Sequence, residues 1–188
     1  MKNSIPKKGY SEKEIFNHFD SFQQVDTDWK SGKTFGAVYY PGDNYASVIS
    51  KSYLKFIHEN AFDPQLFKSI LSMEKEVVEQ VSNLVSPGTK LYGSLTSGGT
   101  ESIFLSLLSA RDWSKEKKGI DNPEVILSST AHPAFLKALR FLKIKPVIID
   151  VDSNLTFDLK KVETKINSNT IMLIGSAPAY PYGMIDPI

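Results

Sequence analysis

The sequence predicts an α/β fold, with a mostly parallel sheet wound by helices on both faces. Three observations predict it. From Leu91 onward, short apolar runs alternate with amphipathic helical patterns. The runs Glu124 to Leu127, Pro146 to Val151 and Thr170 to Ile174 are strand-length and rich in branched residues. Polar turns follow the runs, as they do where crossover helices return the chain to a parallel neighbour.

Taken in order, Ser11 and Glu14 make a capping box, and Ile15, Phe19 and Phe22 recur at i, i+4 and i+7. They predict an amphipathic arm over 11–24, with His18 off the stripe and solvated. The segment 28–44, DWKSGKTFGAVYYPGDN, reads as irregular. Tyr39 and Tyr40 in it either pack or line a site. A helix is expected over 45–58. A stronger one starts with Asp63 as N-cap and Pro64 at N1, and its apolar stripe, Leu66 to Val85, is read as core.

At 91–110 a β-compatible run (Leu91, Tyr92, Leu95) meets the turn Thr96-Ser97-Gly98-Gly99-Thr100 and then a helix face of Ile103, Phe104, Leu107 and Leu108. Paired glycines permit positive φ and close approach, and a helix start offers unpartnered N–H groups to an anion such as phosphate. The pattern is neither a P-loop nor a dinucleotide fingerprint, and a plain helix-capping turn reads equally well. Gly119 ends that helix behind lysines. The turn 128–133 carries His132 just beyond a strand, where an imidazole serves a site about as often as it is merely structural. Asp158 caps a short helix to Ile166, and 175–183 is a further polar loop. In open α/β sheets the tips of successive strands face one crevice. The turns after Leu95, Leu127 and Ile174 are therefore expected to share it.

Composition bounds the chemistry. A net charge of +1 with no basic run gives no nucleic-acid surface. The absence of cysteine excludes disulfides and thiolate catalysis, and His18, His58 and His132 lack zinc spacing, so no metal is expected. No signal-peptide core or transmembrane run is visible, and the expectation is a soluble cytoplasmic protein.

Taken together, DWKSGKTFGAVYY, LTSGGTESI, SSTAHPAF and SAPAYPYGMIDP resemble the ordered motifs of sphingosine-1-phosphate lyases, from about Trp29 to Ile188. These are pyridoxal 5'-phosphate (PLP) enzymes of aspartate-aminotransferase fold, fold type I, in the branch that holds the amino-acid decarboxylases. SGGTES occurs widely in that branch, whereas GAVYY together with A-P-x-x-P-x-G-x-I-D-P points to the lyases. The resemblance implies an arm and active-site loop over 1–60 and the first, incomplete part of the PLP-binding large domain over 61–188. It implies PLP phosphate held by Gly98, Gly99 and Thr100; Ser97, as a hydroxyl donor of the same turn, and Ser176, from the loop after Ile174, are expected at the cofactor beside them. His132 would stack on the pyridine ring and take part in catalysis. Tyr39 and His58 would serve catalysis and, with Asn60, contact substrate, although His58 also suits a helix end. Phe35 departs from the small residue usual before GAVYY.

The implied reaction is retro-aldol cleavage of a phosphorylated long-chain base to a fatty aldehyde and phosphoethanolamine. The Schiff-base lysine and the aspartate beside the pyridine nitrogen have no matching position here; Lys137 and Lys143 fall on helix surfaces. The expectation is an N-terminal portion inactive alone, a homodimer or completed by a missing half. The alternatives are an amino-acid decarboxylase or a non-catalytic phosphate-binding module.

Overall fold

The computed structural model describes residues 5–34, 36 and 38–188. Phe35 and its loop contacts therefore lie outside the described residues. The chain forms two compact units, Met1–Ile70 and Leu71–Ile188.

In the first unit, α1 (Glu12–Gln23) starts at Ser11. The Ser11 hydroxyl accepts the Glu14 N–H at 3.4 Å, and the Ser11 N–H donates to Glu14 Oε2 at 2.7 Å, so the capping box forms as read. His18 is not simply solvated: its ring packs edge-on against Phe22 with centroids 4.3 Å apart. After a 3₁₀ turn (Trp29–Ser31) comes α2 (Asp43–Lys55), which ends three residues before His58.

The helix α3 (Lys68–Val85) begins later than expected. Asp63 Oδ1 accepts the N–H groups of Gln65 and Leu66 at 2.9 and 3.2 Å, so it caps a separate turn ahead of the helix. The α3 stripe is not core either. Leu84 is 84% exposed, Val81 and Val85 are also exposed, and Ser82 is the buried residue of this helix. What α3 covers instead is the extended segment 89–95. Ser82 Oγ accepts the Leu91 N–H at 3.2 Å, and Glu74 Oε1 accepts the Leu95 N–H at 2.9 Å. Side chains thus satisfy donors that a neighbouring strand would otherwise take, and among the described residues 91–95 pairs with no strand.

The second unit is organised by β1 (Glu124–Ser128), buried at all five positions. It is flanked by β2 (Lys145–Ile149) and β3 (Thr170–Ile174) in the order β2-β1-β3, all parallel. Alternation along β1 divides the core. Val125 and Leu127 pack with Leu107 of α4 (Gly99–Lys118) and with Ala138, Leu139 and Leu142 of α5 (Pro133–Leu142). Ile126 points the other way and packs with Ile149, Phe157 and Val162, the last from α6 (Leu159–Lys165). Helices therefore cover both faces, as the run of apolar residues in β1 requires. At the amino end of β1 the Glu124 carboxylate takes Lys145 Nζ at 2.7 Å and Asn167 Nδ2 at 2.9 Å, and these bonds hold it below the usual carboxylate range.

Candidate functional site

The sheet brings two of the expected turns to one edge. Leu127 pairs with Ile174, so the segments after β1 and β3 leave the sheet side by side at its carboxyl end. The β1 turn is well tied. The Ser129 N–H donates to the Ile149 carbonyl at 2.9 Å, and the Ser128 and Thr130 hydroxyls lie 2.8 Å apart. His132 closes that turn as the N-cap of α5, its Nδ1 accepting the Ala134 N–H at 3.1 Å. An Nδ1 acceptor leaves the proton of the neutral ring on Nε2. The ring is exposed and tethered.

The third turn starts α4. That helix packs on the same face of the sheet as α5, sharing a core cluster with it; α4 leads through the short link 119–123 into the start of β1, and α5 leaves the end of β1 to return to the parallel strand β2. The two helices thus run the same way. Ser97–Thr100 and His132 stand at the same end of this face.

Gly98 and Gly99 do not use positive φ. Gly98 is extended (φ 160°), and Gly99 is the first helical residue. What the glycines supply is bareness, since a Cβ at either would meet nothing within 4 Å. The helix start has no side-chain cap at Gly98. Residues 98–100 are exposed, and an anion would find bare amides here with the positive end of the helix dipole behind them. These residues fit a phosphate.

Ser97 differs. Its N–H and hydroxyl both donate to Glu101 Oε2 at 2.6 Å. The Ser97 hydroxyl, then its N–H, hold the Glu101 carboxyl below its ordinary 4.5. A depressed carboxylate contributes order above its ordinary value and loses it as pH falls through the folded value. We expect the Ser97 amide resonance to shift on acidification below pH 4.5 in the wild type, and to stay flat in Glu101→Gln. Spacing alone did not mark Glu101, although a Ser-Gly-Gly-Thr-Glu run at a helix start is the available signal.

Ser176, half-buried, follows β3, and its N–H donates to Asp186 Oδ2 at 2.8 Å. Tyr39, His58 and Asn60 belong to the first unit. Tyr39 is 95% exposed, and His58 lies in the turn after α2, so it does not cap that helix. Asn60 Oδ1 accepts the Phe62 N–H at 3.0 Å. Tyr40 neither simply packs nor stands free. Its hydroxyl donates to Asp43 in a very short bond, its ring meets Trp29 edge-on at 5.2 Å, and Lys30 Nζ lies 3.4 Å from the same Asp43 oxygen. The bond to Asp43 pushes the Tyr40 phenol up, and together with Lys30 it holds Asp43 down.

Residues 87–177 match the DegT/DnrJ/EryC1/StrS aminotransferase family. A glutamate decarboxylase of Lactobacillus brevis superposes with a TM-score of 0.79 over 99% of this chain and 44% of its own, at 16% identity, which establishes the fold alone. The architecture is that of the PLP-dependent fold type I enzymes. A sphingosine-1-phosphate lyase of Burkholderia pseudomallei superposes with a TM-score of 0.92 at 31% identity, covering 99% of this chain and 45% of that one. The sphingosine-1-phosphate lyase of Oryza sativa subsp. japonica is 37% identical over 196 residues, covering 100% of this chain and 36% of that protein. The chain is a homologue of the sphingosine-1-phosphate lyases and spans about a third to under half of their length. Among the described residues no helix is long and apolar enough to cross a membrane.

Proposed function

We propose that this chain supplies the phosphate- and ring-binding part of a PLP-dependent carbon–carbon lyase acting on a phosphorylated long-chain base. The observation that carries this reading is the uncapped, open start of α4 at Gly98–Thr100, at the same end of the helical layer as His132. Bound PLP would act as an electron sink for cleavage beside the amine-bearing carbon. Gly98, Gly99 and Thr100 would hold its phosphate, and His132 would lie against the ring. Ser97, engaged by Glu101, would shape the loop, and Ser176 would border the cofactor from the neighbouring strand tip. Tyr39, His58 and Asn60 would meet substrate. Identity favours this reading over an amino-acid decarboxylase by a narrow margin, 37% to the Oryza sativa lyase against 34% to an L-aspartate decarboxylase of Thermococcus kodakarensis. A homodimer is the assembly proposed.

The reaction is tested on this chain combined with the remainder of the lyase length that it does not span, offered PLP with a phosphorylated long-chain base or with glutamate. Fatty aldehyde supports the lyase; carbon dioxide without aldehyde overturns it. Cofactor binding is tested separately by PLP titration with phosphate as competitor.

His132 has two separable roles. Asparagine can replace its N-cap acceptor but has no ring. His132→Asn is expected to keep stability within ~0.5 kcal/mol and to weaken PLP binding about tenfold, the order of one aromatic stack. His132→Phe is expected to do the reverse, losing about 1 kcal/mol of stability with its cap and retaining the stack. Melting curves beside PLP titrations read both.

A further inference from the structure

Asp186 is a buried carboxylate, 2% exposed, that the reading above does not use. Its Oδ1 accepts the Phe157 N–H at 2.8 Å and its Oδ2 accepts the Ser176 N–H at 2.8 Å, while its own N–H donates to the Ser176 carbonyl at 2.9 Å. One residue thus grips both backbone groups of Ser176. The grip has a rigid base, because Phe157 is itself buried with Ile126, Ile149 and Val162. The loop between the two partners is closed on itself. The Ala179 N–H donates to the Met184 carbonyl at 2.7 Å, the Gly183 N–H to the Ala179 carbonyl at 2.8 Å, and Ala179 is buried beneath the turn. The returning segment lies tight against the strand tip. A Cβ at Gly175 would come within 2.6 Å of Ile188 Cδ1 and 3.6 Å of Asp186 Cβ.

Three chain segments therefore meet on one carboxylate: the tip of β3, the entry to α6 and the return at 184–188. The carboxyl group offers a separate oxygen to each of the two N–H groups, so neither donor is left unpaired. We propose that Asp186 is a positioning residue that fixes Ser176 at the carboxyl tip of β3, next to the His132 turn. Its ligand consequence rests on the reading of that edge as the PLP crevice.

The test is amide hydrogen exchange by NMR in the full chain, with PLP titrations alongside, for wild type and Asp186→Asn. An asparagine keeps the shape but offers one acceptor and turns an NH₂ toward the other donor. In the wild type, the Ser176 and Phe157 amides should be protected although the Ser176 amide lies outside any strand. In Asp186→Asn their exchange should quicken by about ten- to hundredfold while Ile126 in β1 is unchanged, and PLP affinity should fall about tenfold. Free exchange at Ser176 in the wild type overturns the proposal, and that measurement needs no variant to fold. So does equal quickening at Ile126, which marks general loosening. Quickened exchange with unchanged PLP affinity reduces Asp186 to a structural role and also overturns it. Failure of the wild type to bind PLP, with the exchange pattern as expected, defeats the cofactor reading and leaves the fixing of Ser176 by Asp186 intact.

Discussion

Leu139→Ala is expected to lower the stability of the second unit by about 3 kcal/mol, within the range for emptying a leucine site in a packed core. Leu139 is fully buried on α5, between Leu107 of α4 and the Val125 and Leu127 face of β1. Truncation leaves a cavity between two helices and a strand whose other neighbours are already in contact, so little collapse can refill it. A melting temperature lower by about 6–12 °C is the expected reading in a chain of this size. A drop of less than about 1 kcal/mol would mean that α4 and α5 do not close over the sheet as described.

Gly99→Asp is expected to move stability and ligand binding in opposite directions. Gly99 opens α4 without positive φ, and an added Cβ meets nothing, so the side chain enters without strain. A carboxylate in the first turn faces the positive end of the helix dipole and should stabilise α4 by about 0.3–1 kcal/mol. The same charge opposes a phosphate on those amides. Two unit charges 4 Å apart at an effective dielectric of 20 repel by about 4 kcal/mol. Allowing for screening, PLP affinity should fall by about a hundredfold. Thermal melting and PLP titration of the same preparation check both signs. Unchanged affinity would remove the α4 start from the cofactor site.

Much of this was legible in the residues. The capping box at Ser11 and Glu14, the cap at Asp158 and the glycine stop at Gly119 are local devices, and local hydrogen bonding alone carries them. The three short branched runs became β1, β2 and β3 within a residue or two, because β-branched side chains in a short run suit a doubly covered strand. The glycine pair was read correctly as a helix start. Of the two freedoms that it permits, positive φ goes unused and close approach is kept, since composition shows that a Cβ is missing but not which use its absence serves.

The sequence by itself determined the alternation of strand and helix, the caps, and the two turns that carry His132 and the glycine pair, because each depends on neighbours within a few positions. Only the tertiary structure decided that β1 lies between β2 and β3, that 91–95 rests on Ser82 and Glu74 rather than on a strand, and that α3 leaves its stripe exposed. It also decided that Asp186 reaches back to both Phe157 and Ser176. These outcomes turn on which distant segment reaches a backbone donor or an apolar face, and no periodicity along the chain records that.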